Sequence, residues 1–264
     1  MSAVRVPVLM YHRVGDARNE WEARYCIHPR VFASHMRALA DQGYMAMSID
    51  LLADWMEGNG DLPDRAFLLT FDDGFLGVHD HAWPVLRDFG WPFTVFIVSN
   101  LIGGTDEWTR SANPSGMTYP LLEASHIRAM QALGVSFQSH SQTHPSLPRT
   151  GDEQLGEELA GSRAALSELL GTDVMYFAYP YGHLDERVEA QVRAAGYRAA
   201  FSTQPGFNRR DVNPFRIRRL DVFGTDTPAM LMRKVHLACN DGSLGYTLRY
   251  YIKRGINRIV GMKS

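Results

Sequence analysis

The chain has only two cysteines in 264 residues, Cys26 and Cys239. They are far apart and show no metal-type spacing, so no disulfide framework is expected. Such sparse cysteine fits a reducing compartment. Long apolar runs are also missing, and nothing approaches the ~20 residues of a spanning helix. The opening MSAVRVPVLMYHRV holds Arg5 and Pro7 where a signal peptide needs an uninterrupted apolar core. A cytoplasmic protein is the expectation. Charge of one sign is lacking too: 27 basic less 29 acidic residues leaves −2, which gives no reason to expect nucleic-acid binding. No Gly-x-Ser-x-Gly occurs, so the nucleophile elbow of serine hydrolases is absent.

What is present is the composition of a folded α/β chain. Hydrophobic residues make up 45% and charged residues 21%, which excludes whole-chain disorder. Apolar runs alternate with amphipathic stretches. Strands are expected at 4–11, 66–71, 93–98, 135–139, 174–179, 198–202 and 215–222. Helices are expected at 30–42, 80–89, 121–133, 152–170 and 185–195, with Gly43, Gly90, Gly134, Gly171 and Gly196 as stops. A last helix starts at Thr227 and Pro228. The segment 103–119 reads as a long loop. About seven strands alternating with helices argue for a parallel sheet, and the even spacing suits a closed barrel. One domain is expected over 1–241, followed by a tail at 242–264. That tail carries Arg249, Lys253, Arg254, Arg258 and Lys263 and no acid, so the charge divides as −7 and +5.

In parallel barrels chemistry lies at the C-terminal ends of strands. The polar residues that directly follow apolar runs are therefore the candidates. The 66–71 run leads into Asp72 and Asp73, and Gly74 permits a sharp turn. This is either a strand-to-helix turn or a carboxylate pair that divides a cation and a substrate. The 135–139 run leads into His140, with His144 four residues on. That spacing puts both imidazoles on one side of a single turn, and Pro145 ends it. Two histidines and one carboxylate make a three-ligand metal site with room for water. The first run ends at His12, a residue able to donate a proton near neutral pH.

Thr70-Phe71-Asp72-Asp73-Gly74, His140-Ser141-Gln142-Thr143-His144-Pro145 and Phe177-Ala178-Tyr179-Pro180-Tyr181-Gly182 resemble the three leading motifs of the polysaccharide deacetylases (NodB-homology domains, carbohydrate esterase family 4). The resemblance spans about 5–225. It implies a distorted (β/α)7 barrel and a metal-dependent hydrolase that removes N-acetyl groups from an N-acetylated sugar. It implies Asp72 as general base and Asp73, His140 and His144 as metal ligands, with zinc the expected ion. The backbone N–H of Tyr181 would help to hold the oxyanion.

Two departures stand out. Ala178 occupies the place of the arginine that orients the base, and no late acid histidine is evident. LMYHRV, with His12 on the first strand, resembles the family branch in which the acid histidine sits there. FRIRRLDV offers Arg216, Arg218 and Arg219 in place of the missing arginine, with Arg219 favoured because strand alternation sets it apart from the other two. Trp108, Tyr179 and Tyr181 are candidate sugar contacts, whereas Trp21 reads as packing. In 246–262, Leu248, Ile252, Ile256, Ile259 and Val260 lie near one face, which fits an interfacial helix or a helix packed on the barrel. The substrate is open between a polymer and a lipid-linked intermediate of a surface-glycan pathway. The competing function is a non-catalytic carbohydrate-binding protein on the same barrel, motivated by Ala178.

Overall fold

In the computed structural model, residues 4–261 are described, with side chains through residue 252. Ten strands occur among them: β1 (Val8–Tyr11), β2 (Arg13–Val14), β3 (Cys26–Ile27), β4 (Met45–Met47), β5 (Ala66–Phe71), β6 (Thr94–Ile97), β7 (Ser136–Ser139), β8 (Tyr176–Ala178), β9 (Ala199–Phe201) and β10 (Leu220–Asp221). Apart from the small β2–β3 ribbon they form one parallel sheet in the order β10-β1-β5-β6-β7-β8-β9, with β4 also paired to β5. The helices are α1 (Glu22–Tyr25), α2 (Pro29–Asp41), α3 (Ile49–Met56), α4 (Trp83–Phe89), α5 (Ala124–Gln131), α6 (Asp152–Gly156), α7 (Ser162–Leu170), α8 (Glu186–Ala194), α9 (Pro228–Leu237) and α10 (Leu244–Gly261).

The sheet curls until its edges nearly meet. Ile217 bridges Phe201 of β9 in parallel sense, and three residues later Leu220 pairs with Leu9 of β1. This is the distorted β/α barrel that the alternation of elements predicts. Strands β1, β5 and β6 are short, largely apolar runs because both faces are covered. All six residues of β5 are buried, as are all four of β1 and β6. Each such Leu, Val or Phe contributes on the order of 1.5–3 kcal/mol by leaving water.

The helices bury one stripe each. Phe32, His35, Met36 and Leu39 of α2 face the barrel. Asp185 caps α8 by accepting from the Val188 amide at 2.8 Å. Gly171 ends α7 in the left-handed region at φ 66°, which a side chain rarely adopts.

Three expectations need correction. The run 215–222 is not one strand. It divides into a 3-10 turn at Pro214–Arg216, the bridging Ile217 and the two-residue β10. The helix expected over 152–170 is interrupted by a π segment at Glu157–Gly161. The segment 43–65, left unassigned from sequence, contains β4 and α3. There Ser48 caps α3 by accepting from the Leu51 amide.

Candidate active site

The strands β1, β5, β7, β8 and β10 all end on one rim, and the candidate residues lie just beyond their last residues. Asp72 and Asp73 follow β5, His140 follows β7, Tyr181 follows β8 and His12 follows β1. They border one cavity of about 480 Å³ together with Trp108, His144 and Asp221.

Asp72 is buried, and its charge is met directly. Arg219 reaches it with two parallel hydrogen bonds, Nη1 to Oδ1 at 2.6 Å and Nη2 to Oδ2 at 2.7 Å. The Arg219 side chain is itself fully buried, and its Nε donates to the Ser202 carbonyl at 3.0 Å. Burial alone would raise the Asp72 pKa, but Arg219 and His140 hold it below the ordinary carboxylate value. Of the three arginines in FRIRRLDV, Arg219 is the one that reaches Asp72. Of the other two arginines, Arg216 pairs with Glu189, and Arg218 lies in a separate crevice.

Asp73 meets the two histidines. Its Oδ1 lies 3.4 Å from His140 Nε2 and 3.3 Å from His144 Nε2. That oxygen is buried with no well-formed hydrogen bond. Three converging ligand atoms, all within 4.8 Å of one another, leave a buried acceptor unsatisfied. Such a gap suits a cation better than a hydrogen-bond network. The Asp/His/His donor set is also what a divalent ion takes. The residues therefore fit a metal.

The supporting contacts are equally specific. His140 Nδ1 donates to the Ala178 carbonyl at 2.7 Å, which turns Nε2 toward Asp73. Ala178 therefore serves through its backbone. Glu158 sits in the π segment and accepts from the Gln142 amide at 2.8 Å and the Thr143 amide at 3.0 Å. It fixes the turn that carries His144. Burial lowers the His144 pKa, which favours the neutral ring that a metal ligand requires. His140 is raised despite its burial, by Asp72 above all.

Four residues in the turns at this rim have strained backbone. Asp73 (φ 74°), Ser141 (φ 68°), His144 (φ 64°) and Tyr181 (φ 60°) all lie in the left-handed region. Gly182 follows Tyr181, and a Cβ there would sit 2.0 Å from Thr203 Oγ1, so the turn packs too closely for a side chain.

A family model described as polysaccharide deacetylase matches residues 59–200. The chain belongs to the polysaccharide deacetylase family. The match takes in Asp72, Asp73, His140, His144 and Tyr181, while His12 and Arg219 lie outside it. A putative polysaccharide deacetylase, YxkH of Bacillus subtilis (strain 168), is 24% identical over 218 residues, 83% of this chain and 71% of that one. A poly-beta-1,6-N-acetyl-D-glucosamine N-deacetylase of Staphylococcus epidermidis is 23% identical over 235 residues, 81% and 78% of the two chains. Among solved structures, IcaB from Ammonifex degensii superposes with a TM-score of 0.74 at 30% identity, covering 89% of this chain and 97% of that one. The PplD deacetylase of Streptococcus pyogenes gives 0.76 at 20% identity, over 89% and 99%, and shows the fold.

The deacetylase rim also holds residues that the motifs do not name. Trp108 stacks on His144 at 4.5 Å, and Tyr181 meets the same ring edge-on at 4.5 Å. Tyr181 is half exposed. Tyr179 borders the cavity but is fully buried, and its hydroxyl donates to the Phe215 carbonyl at 3.0 Å. As a sugar contact it is therefore corrected: its polar atom is already engaged. Tyr25 stands between Trp21 and His12, with ring centroids at 5.7 and 5.5 Å.

Glu22, at the cavity edge, escaped the sequence reading. It accepts from Arg13 Nη2 at 3.0 Å, the Arg18 amide at 2.9 Å, Asn113 Nδ2 at 3.0 Å and Tyr119 Oη at 2.7 Å. Burial opposes its charge, but these partners outweigh burial and hold it at about 2. Glu22 thereby ties the loop before α1 to the loop that carries Trp108. An acid in a polar loop gives no sequence signal when its partners lie 91 and 97 residues away.

Proposed function

We propose that this polysaccharide deacetylase removes N-acetyl groups from an N-acetylated glycan by metal-assisted hydrolysis. The observation that carries the reading is the unsatisfied Asp73 oxygen between His140 and His144, next to an Asp72 held ionised by Arg219. Asp73, His140 and His144 would hold the ion, expected to be zinc. Bound there, it would supply Lewis-acid polarisation of the acetamide carbonyl and lower the pKa of water.

The remaining steps belong to the chain. Asp72 takes a proton from the attacking water, and Arg219 keeps the carboxylate ionised and aimed until it does. The Tyr181 N–H, at the left-handed turn after Pro180, donates to the developing oxyanion. His12, across the rim, protonates the departing amine. The products are acetate and a free amino sugar. Trp108 and Tyr181 bracket the histidine side of the cavity and offer faces to a sugar ring. The Staphylococcus relative supports a poly-N-acetylglucosamine as substrate, within a surface-glycan pathway. The gap at Ala178, which motivated the binding-protein alternative, is filled by Arg219.

The test is metal content per chain after zinc reconstitution, followed by acetate release from poly-N-acetylglucosamine. Expected is about one zinc in the wild type and none in His140→Ala, with acetate released only by the loaded wild type. Absence of metal from the wild type would overturn the reading.

A further inference from the structure

Helix α10 leaves an apolar stripe uncovered. Leu244, Leu248, Tyr251 and Ile252 are 71%, 63%, 57% and 53% exposed. Their spacing of four, three and one residues puts them on one side of the helix. Half-buried Tyr250 borders a crevice with Val4, Val6 and Ala66 on the barrel, and Tyr251, at the edge of the stripe, borders it too. Scattered exposed leucines are ordinary, whereas an aligned stripe marks a contact surface.

The surrounding charge says what kind. Residues 242–264 contain Arg249, Lys253, Arg254, Arg258 and Lys263 and no Asp or Glu. An apolar stripe on a basic, acid-free helix complements an anionic lipid surface, with apolar side chains entering the interface and cations meeting headgroups. No helix among the described residues is long and apolar enough to cross a bilayer, so the contact lies along the surface. We propose that α10 docks the protein on an anionic phospholipid membrane.

The docking surface is far from the chemistry. Val4, Val6 and Ala66 mark the N-terminal ends of β1 and β5, whereas the catalytic cavity lies beyond their C-terminal ends. A docked molecule turns its cavity away from the lipid. That arrangement, which rests on the deacetylase reading, favours a glycan chain reaching out into solution over a short lipid-linked acceptor. The lipid contact itself stands apart from that reading.

The experiment is co-sedimentation of the full chain with vesicles of phosphatidylcholine alone or mixed with phosphatidylglycerol. The comparison variant carries Leu248→Glu and Ile252→Glu, both at exposed positions, so folding and acetate release should persist. Expected is binding to the mixed vesicles only, weakened at least tenfold in the double variant and in 0.5 M salt, against 0.1 M, on the order expected from screening. Failure to bind mixed vesicles would overturn the proposal. So would binding that the double variant retains. A dimer in solution that the double variant dissolves would assign the stripe to a second copy of the chain instead.

Discussion

The two ends of the barrel are built to different rules. At the C-terminal rim, polar side chains are buried and the backbone is bent into costly shapes. Asp72, Asp73, His140 and His144 are all at least nine-tenths buried, and four non-glycine residues there have positive φ. At the other end the remaining positive-φ side chains among the described residues, Arg65 and Ala238, sit at a turn and a helix cap. Strain at the rim fixes the direction of a ligand or an amide. Strain at the far end does nothing more than end an element. The difference teaches that stability is given up where geometry must be held.

The largest effect should come from emptying the rim. His140→Ala or Asp73→Asn should abolish metal binding, and activity should fall by at least about 10³-fold, read by metal analysis and acetate release. Cooperative unfolding should survive, since the far end is untouched. Next is Arg219→Ala, which strands Asp72 as an unpaired buried charge. We expect a loss of about 3–5 kcal/mol in urea unfolding, along with activity. The double change Arg219→Met with Asp72→Asn should recover much of that stability and none of the activity.

The Glu22 clasp sets a third expectation. Its pKa is depressed from 4.5 to about 2, so its contribution is complete above pH 4.5 and is lost as pH falls toward 2. The shift corresponds to on the order of 3 kcal/mol for this buried group. Urea unfolding of the wild type and Glu22→Gln should differ by that amount at pH 6, and the difference should shrink steadily below pH 4.5 and vanish only below about pH 2. The smallest effect sharpens the comparison directly. Ala238→Gly and Tyr181→Gly should each relieve a left-handed backbone and stabilise by about 1 kcal/mol. The first should leave acetate release unchanged. The second should lower it, because the Tyr181 ring and a fixed amide are lost.

How much of this the sequence discloses depends on the range of the forces involved. The β5 and β6 runs were legible because a strand covered on both faces is largely apolar, whereas β7, with Ser136, Gln138 and Ser139, was placed by the Gly134 helix stop before it. The clustering of Asp73, His140 and His144 was legible because two histidines lie four residues apart and a carboxylate pair follows a buried strand. Arg219 was favoured among three arginines by strand alternation, although the run it lies in is not one strand and its partner lies 147 residues away. Segment 43–65 was missed because β4 is three residues long and two of them are at least partly exposed. Glu158 was missed because it looked like part of a solvated helix face. Its inward turn depends on a π segment that no side-chain pattern announces.

The position of β1 has one more consequence. It lies between β5 and β10, so the ring is drawn together only when β10, the last strand, arrives. During synthesis Asp72 emerges 147 residues before the guanidinium that neutralises it. Until then the acid cannot enter the interior without great cost. A chain interrupted before residue 219 therefore holds Asp73, His140 and His144 yet stays open at the seam. The Asp72 pair, and with it the closed seam, can form only once residue 219 has been made.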